Sequence, residues 1–439
     1  MCKKVLGSKS LGIILLAAGL ALSLAACGSE DTGTKPLGDG TSGSPFQISE
    51  QDHLKYMEKN VSKFTNTTYF ELVNNITVSG SLAPIGTSSR PFKGNFDGLG
   101  HTISNLSIYL PASENVGLFG WIEGGTVQNL NVALAAGGVT GLAYVGGITG
   151  GIDGAGAEIV NCSVTGNVTG SGSVPGAISE DVGGVGGIAG GVSDSAVISS
   201  CSFAGSVSSD IGDAIGGIAG YVHEGYIDKS YATGSVEGYD SVGGVVGYVY
   251  DSYIIDCYAT GDITGNNSVG GVAGMIISRL PRVSPDPASG VYNSYATGSV
   301  EGYDSVGGVA GIVENDGASS AVLNCAALNS AVKRISGDGA KLGFVAGYDG
   351  GLNSILNNWA HDGIPSLPSE AHGVMGAVIT KLQAKDQNYY DYTAATSLLD
   401  WDFTVSGAWK WSPSPATYPL PVLKWQTTAP INLTGHPLM

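Results

Sequence analysis

The stretch Ser230 to Val245 reads SYATGSVEGYDSVGGV, and the same sixteen residues stand again at Ser294 to Val309. Chance does not produce such a copy, so the chain is a repeat. Within the first copy Ser230, Ala232, Gly234 and Val236 hold one parity, and Tyr231, Thr233, Ser235 and Glu237 hold the other. The intervening unit sets Cys257, Ala259, Gly261 and Ile263 against Tyr258, Thr260, Asp262 and Thr264. Successive side chains of a β-strand point to opposite faces, so one face in every copy is small or apolar and made for burial.

A second motif, an aliphatic residue, two glycines, an aliphatic, a small residue and glycine, follows. It stands at Val145 to Gly150, Val185 to Gly190, Ile215 to Gly220, Val242 to Gly247, Val269 to Gly274 and Val306 to Gly311. Looser copies lie at Val116 to Gly120 and Leu342 to Gly347. The gaps between their first glycines are 29, 40, 30, 27, 27, 37 and 36, so the base unit is 27 residues. Units with strands this short cannot bury their own faces, and identical units must stack in register. Equivalent strands then run parallel, with right-handed connections. The predicted fold is all-β: a right-handed parallel β-helix, a solenoid of eight rungs about 40 Å long at about 4.8 Å per rung. The repeated glycines suit corners that need positive φ or close backbone approach.

Composition agrees with one repetitive body. The 439 residues include 70 glycines and 17 prolines, with 13% charged residues and a net charge of -18. Glycine is near twice its ordinary usage, yet it has no three-residue period, which excludes collagen. The acidic balance excludes nucleic acid as a partner, because phosphates need basic residues.

The V-G-G-V-A-G and Y-A-T-G-S-V segments resemble the GLUG motif. That motif occurs in bacterial surface and adhesin-like proteins and ahead of the protease domain of some immunoglobulin A metallopeptidases. Pro84-Ile85-Gly86, Phe92 to Gly100 and Val116-Gly117-Leu118-Phe119-Gly120 are similar to the way such domains begin, and the likeness runs over about residues 45 to 426. The resemblance implies a surface-displayed repeat protein. No H-E-x-x-H zinc site is present, so it does not imply proteolysis.

Met1 to Ala26 reads as a lipoprotein signal peptide: Lys3, Lys4 and Lys9 precede an apolar run, Leu11 to Leu22, too short and too terminal for a membrane span. Leu24-Ala25-Ala26-Cys27 resembles a bacterial lipobox, which implies lipidation of Cys27; the alternative is an ordinary secretory signal. Several acyl chains would anchor the chain to a membrane where one would be marginal. Gly28 lacks the aspartate associated with inner-membrane retention, so the expected location is the cell envelope, at the outer membrane or cell surface. Loss of Lys3, Lys4 and Lys9 leaves 16 basic against 37 acidic residues, near -21.

Beyond Cys27 the segment to residue 45 reads as a flexible tether, 46–115 as an N-terminal cap and first turns, and 116–359 as the repeat β-helix. Residues 360–426 read as a C-terminal cap and 427–439 as a tail. Ser49, Glu50, Gln51 and Asp52 form a capping-box pattern ahead of Leu54, Met57 and Val61, which predicts a helical lid over open strand edges. Trp359, Trp401, Trp409, Trp411 and Trp425, with Tyr389, Tyr390, Tyr392 and Tyr418, supply the aromatic C-terminal cap.

Two sets of residues are candidates for ligand binding. Tyr231, Tyr258 and Tyr295 should stack outward on consecutive rungs, with Thr233, Thr260 and Thr297 beside them. Such a column is either a platform for a glycan or a ladder that stabilises itself. Arg279 and Arg282 lie in the insertion Met275 to Gly290, a projecting loop suited to an anionic group or to solvent alone. A second insertion spans Thr169 to Gly184.

The remaining patterns read as structural. Cys162, Cys201, Cys257 and Cys325 share one repeat position with Ser230 and Ser294, as a buried column; parallel in-register side chains fit disulfide torsions poorly and give no tetrahedral metal site, while export leaves oxidation of the neighbouring pair Cys162 and Cys201 open. Glu237, Thr264 and Glu301 form one outward column and Asp240, Asn267 and Asp304 another, spreading carboxylates rather than converging them. The six histidines, His53, His101, His223, His361, His372 and His436, are scattered, and no G-x-S-x-G motif exists.

The expectation is a lipid-anchored protein with a non-catalytic binding or adhesin-like role toward a glycan or a surface protein, with no resident cofactor. Calcium is left open by the abundance of acids, without an EF-hand or calcium nonapeptide to support it. The alternative is a polysaccharide lyase or hydrolase on the same scaffold.

Overall fold

One turn of the chain runs through Tyr226–Asp228, Tyr231–Ala232, Ser235–Glu237, Asp240–Gly243 and Val246–Tyr250, then regains its starting position at Tyr253–Ile255. Tyr226 pairs in parallel with Tyr253, Ile227 with Ile254 and Asp228 with Ile255. These positions define four strand stacks, here sheets I (Tyr226–Asp228), II (Tyr231–Ala232 and Ser235–Glu237), III (Asp240–Gly243) and IV (Val246–Tyr250). The computed structural model describes residues 33–172, 183–279, 288–335, 341–351, 354–364, 376–386, 390, 401–404, 407–412 and 420–426. All lie within the compact unit Gly33–Met439. The signal segment, Cys27, Arg282, His372, His436, Tyr389, Tyr392, Tyr418 and the 427–439 tail lie outside them.

The fold is the expected parallel β-helix. Among the described residues sheet I has eleven strands, from Phe46–Ile48 to Ser354–Leu356. Eight were expected from the glycine motif, because the strands Phe46–Ile48, Tyr69–Leu72 and Asn95–Asp97 stack ahead of its first copy. Those turns are filled with phenylalanine instead: Phe70 meets Phe46, Phe64 and Phe92 with ring centroids 5.4, 4.8 and 5.8 Å apart.

The buried parity is the one the alternation assigns. On sheet I, Phe70, Phe96, Val127, Ile159, Ile198, Ile227, Ile254, Val291 and Val322 form one inward column, each 0–1% exposed. On sheet II, Ala232, Ala259 and Ala296 lie inward in register. Each fully buried aliphatic side chain contributes about 1.5–3 kcal/mol, so the stack is held chiefly by like residues shielding like residues from water.

The repeated glycines act through close approach. Neither Gly243 nor Gly244 has a positive φ, but a Cβ on Gly244 would collide with the Gly271 carbonyl of the next turn and the Ala259 side chain. Left-handed backbone is taken instead by Asn129, Asn161, Ser200, Lys229, Asp256, Asn293, Asn324 and Asn357, at φ of 46–56°. Each sits at the corner between sheets I and II. Asparagine tolerates this region best among non-glycine residues, and here the amides also link turns. Asn161 Nδ2 donates to Asn129 Oδ1 at 2.8 Å, and Asn324 Nδ2 to Asn293 Oδ1 at 3.3 Å.

Immediately inside that corner lies the cysteine column. Cys162, Cys201, Cys257 and Cys325 are buried free thiols. Each Sγ donates to a carbonyl two residues back, at 3.2–3.3 Å. Burial raises all of the thiols for which a shift is resolved, Cys325 to about 12 and Cys201 and Cys257 well above the usual thiol value.

Three expectations about the ends are corrected. The helix Gln51–Asn60 does bury Leu54 and Met57 in the core, but its N-cap is Glu50 with no side-chain cap. The Ser49 N–H donates to His53 Nδ1 at 3.1 Å, which displaces the predicted capping box. Gly33 to Pro45, read as tether, packs on the first turn: Leu37 bridges Gln47, Gly40 lies against the Phe46 ring, and Gly38 and Gly40 turn the chain at φ of 97° and 83°. The helical stack also passes the predicted boundary at 359, through Trp359–His361 and Ala377–Ile379.

The aromatic C-terminal segment lies along the flank of sheet II. Trp401, Trp409 and the antiparallel pair Trp409–Trp411 and Pro421–Leu423 pack over Tyr258 and Tyr295. The stacked tyrosine column gives the outward face of sheet II an apolar surface, and aromatic burial favours covering it. Among the described residues no helix is long and apolar enough to cross a membrane.

Candidate functional site

Tyr231, Tyr258 and Tyr295 do stack, with centroids 5.0 and 4.8 Å apart and planes 3° and 2° from parallel. They do not form an open platform. Tyr258 and Tyr295 are 0% exposed beneath the C-terminal segment, and Tyr295 Oη donates to the Pro421 carbonyl at 2.7 Å. Only Tyr231 keeps partial access, against Trp425 at 5.3 Å. Thr260 and Thr297, expected outward beside them, are buried as well.

Arg279 is engaged within the protein. Its backbone N–H donates to Asp251 Oδ1 at 2.9 Å, Nη1 to Tyr250 Oη at 3.3 Å, and Nε lies 3.6 Å from Asp316 Oδ2. A guanidinium so occupied is a poor receptor for a free anion. Of the acidic columns, Glu301 pairs with Lys333 at 2.9 Å, and Asp240 accepts from Asn267 Nδ2 at 2.8 Å. Asp213 lies in register with Asp240, and burial first, then that neighbour, raises its carboxyl above the usual range. No metal-holding group of histidine, cysteine or carboxylate residues occurs among the described residues.

The open surface with mixed chemistry is the outward face of sheet I, where two depressions adjoin at Glu158. The first, about 410 Å³, is lined by Tyr69, Glu71, Asn95, Asp97, Thr126, Gln128 and Glu158. The second, about 520 Å³, is lined by Glu158, Val160, Val197, Ser199, Tyr226, Asp228 and Ile255. Strand register builds this trough. Tyr69, Asn95, Thr126, Glu158, Val197 and Tyr226 stand in one outward column, and Glu71, Asp97, Gln128, Val160, Ser199, Asp228 and Ile255 in the other.

The carboxylates of the trough differ in what they leave free. Asp97 accepts from Gln128 Nε2 at 2.6 Å, Asn129 Nδ2 at 3.0 Å and the Leu99 N–H at 2.8 Å. Asp228 is bound to Lys229 Nζ at 2.6 Å. Glu71 and Glu158 have no ion-pair partner among the described residues, and Glu158 is exposed. Farther along, Tyr226 stacks on Tyr253 at 5.0 Å and 23°, and remains 39% exposed. The trough therefore offers amide donors, free carboxylate acceptors and an aromatic ring along one line. Sequence reading missed it because its residue types change from turn to turn; the only signal was the shared parity ahead of each cysteine position.

Fold and surface together define a parallel β-helix of glycine-cornered repeats with an open lateral trough. Comparison with known proteins places a recognised motif on it: residues 238–264 match the GLUG motif. That match covers one complete turn, from the end of Ser235–Glu237 on sheet II to Ile263–Thr264 on the same sheet. The chain is similar to Halomucin from Haloquadratum walsbyi, 34% identical over 155 residues. The matched part is 32% of this chain, which spans 2% of the length of that relative. Among solved structures it is similar to a Bacteroides ovatus chain provisionally assigned as an immunoglobulin A1 protease, with a TM-score of 0.47 and 18% identity, over 89% of this chain and 95% of that one.

Proposed function

We propose that this chain is a lipid-anchored protein of the cell envelope that binds a neutral glycan along the outward face of sheet I, and that it does so without catalysis. The observation that carries the reading is the continuous trough from Tyr69 to Ile255, with free carboxylates at Glu71 and Glu158 and the accessible ring of Tyr226. Sugar hydroxyls donate well to such carboxylates, and a pyranose stacks on such a ring. A net charge of -18 disfavours polyanionic polymers.

Support for a non-catalytic role comes from the way Asp97 is saturated by three donors and Asp228 is held by Lys229. General acid and base chemistry on a glycosidic bond needs two available carboxyls within about 10 Å of each other. The two that stay free, Glu71 and Glu158, stand three strands apart in sheet I, about 14 Å at about 4.8 Å per strand. The anchor at Cys27 rests on the lipobox-like sequence, and the reading requires no resident cofactor. The test is a glycan-array and soluble-oligosaccharide screen of the chain from residue 33 onward. Binding that is lost in Glu158→Ala and Tyr226→Ala supports the reading; binding of a protein ligand alone, or depolymerisation of any glycan, overturns it.

A further inference from the structure

The corner between sheets II and III carries a ridge of its own. Tyr239, Asn266 and Tyr303 each stand one residue ahead of the in-register column Asp240, Asn267 and Asp304. Neighbouring strands lie about 4.8 Å apart, so the two tyrosines, two turns from each other, are spaced by about 9.6 Å along the stack. Tyr239 is 49% and Tyr303 43% exposed. Neither makes a ring contact or a side-chain hydrogen bond among the described residues. Along the ridge Gly212 stands one turn before Tyr239, and Ile335 one turn after Tyr303. No other aromatic side chain flanks either ring there.

The backbone beneath the rings is fixed by the ladder. The Tyr239 carbonyl accepts from the N–H groups of Asn266 and Asn267 at 2.7 and 3.3 Å. The Asn266 carbonyl accepts from those of Tyr303 and Asp304 at 2.8 and 3.1 Å. The spacing of the tyrosines is therefore set by strand pairing and not by a loop.

The polar groups follow the same rhythm. Glu237-Gly238-Tyr239-Asp240 is repeated as Glu301-Gly302-Tyr303-Asp304, with Thr264-Gly265-Asn266-Asn267 on the turn between. Asp304 accepts from the Lys341 N–H at 2.9 Å, and Asp240 and Glu301 are engaged by Asn267 and Lys333. Glu237 is exposed and has no ion-pair partner among the described residues, and the half-buried Asn266 amide makes no side-chain hydrogen bond among them. Carboxylates dominate the ridge, which disfavours an anionic polymer.

An extended β-1,4-linked pyranose chain has a matching period. Each sugar is turned over relative to the last, so every second sugar shows the same face, and two sugars span close to two turns of this stack. We propose that Tyr239 and Tyr303 form a two-ring stacking site for a neutral β-1,4-linked hexopyranose chain lying along the ridge, with the intervening sugar over the Asn266 amide. The site shares no residue with the sheet I trough and does not depend on it.

The test uses the chain from residue 33 onward with cellobiose, cellohexaose, β-1,4-mannohexaose and, as a coiled control, maltohexaose. Nitration by tetranitromethane followed by peptide mass spectrometry reads each ring, because tryptic cleavage after Lys229 and after Arg282 puts the two copies on different peptides. The sugar concentration at half protection measures affinity at the ridge itself. At least one β-1,4 hexamer is expected to protect both tyrosines together, and the bridging chain should bind about tenfold more tightly than a disaccharide. Tyr239→Ala and Tyr303→Ala are exposed changes that leave folding nearly untouched. Each should weaken protection of the remaining ring by about tenfold and remove the advantage of length. Tyr226→Ala should leave protection of both rings unchanged, which separates this site from the trough. Absence of protection by both β-1,4 hexamers overturns the proposal, even where Tyr226→Ala shows that the trough binds them. Equal protection by maltohexaose, or protection of one ring that is indifferent to loss of the other, overturns it as well.

Discussion

The indole Nε1–H of Trp409 donates to Asp256 Oδ1 at 3.0 Å, across 153 positions of sequence. Asp256 lies in the left-handed corner between sheets I and II, and two more indoles of the same segment reach that corner on other turns. Trp425 donates to the Lys229 carbonyl at 3.0 Å and Trp401 to the Asn324 carbonyl at 2.7 Å. Trp409→Phe should keep the ring near Tyr258 and Tyr295 yet leave the partly buried Asp256 carboxylate one donor short, costing about 1–3 kcal/mol. Urea melts of Trp409→Phe, Asp256→Asn and the double variant measure the coupling; additivity of the two losses would show that the bond contributes nothing.

Acidification has an expected sign. Burial holds Asp256, Asp153 and Asp213 above the usual carboxylate range, which lies near about 4. A carboxyl with a raised folded pKa binds its proton more tightly when folded, so its ionisation costs stability above that pKa and the cost is relieved as pH falls through it. Resistance to urea should therefore increase as pH drops from 7 toward the top of the carboxylate range. Below that range Asp39 and Asp402, held low by hydrogen bonds from Thr41 and Thr404, favour unfolding. Asp213→Asn should flatten the rise, and an unchanged slope would remove Asp213 from the account.

The corner residues separate strain from hydrogen bonding. Asn161 has φ of 52° and donates to Asn129. Asn161→Ala should lose both the favourable left-handed preference and the bond, at about 1–2 kcal/mol for the backbone alone. Asn161→Gly should lose only the bond. Equal melting temperatures for the two variants would contradict the assignment of strain to this position.

Close approach on sheet II predicts a sharp glycine requirement. A Cβ on Gly261 would run into the carbonyl of Gly234 on the preceding turn. Gly261→Ala should destabilise by about 1–3 kcal/mol through overpacking, while Ser235→Ala at an exposed position should stay within about 0.5 kcal/mol. Thermal unfolding of the pair checks the contrast, and a tolerant Gly261 would mean that the turns sit farther apart than the ladder implies.

Thiol chemistry gives an independent check on the core. Cys162, Cys201, Cys257 and Cys325 are 0–2% exposed, and Cys325 is pushed up to about 12. In native protein at pH 8 these four should react with Ellman's reagent only as fast as the protein unfolds. Immediate reaction of any of them would place that thiol outside the packed column.

The interior was readable because its causes are local. Alternation at Ser230 to Glu237 sorted Ala232 and Val236 inward, and the sixteen-residue copy set the stacking register. The covering of Tyr258 and Tyr295 was not readable, since the contact from Tyr295 to Pro421 spans 126 positions and leaves no period in the sequence. The asparagine-rich corner was legible in principle: Asn161, Asp256, Asn293 and Asn324 each stand one residue ahead of the Cys or Ser column. The first turns were placed within 46–115 but not counted among the rungs, because phenylalanine does the packing there that the glycine motif marks elsewhere. For the candidate site, the parity of sheet I was accessible, but which outward residues remain uncovered depends on where distant segments settle.

A stack of like turns has no built-in length, since a whole coil can be inserted or removed with every ladder healing behind it. The indoles of Trp425, Trp409 and Trp401 give this one a gauge. They touch down at Lys229, Asp256 and Asn324 from a single stretch of chain, so a coil gained or lost between those corners would throw the strap out of step. Growth or shrinkage of the array by duplication is then free only on the N-terminal side of Lys229.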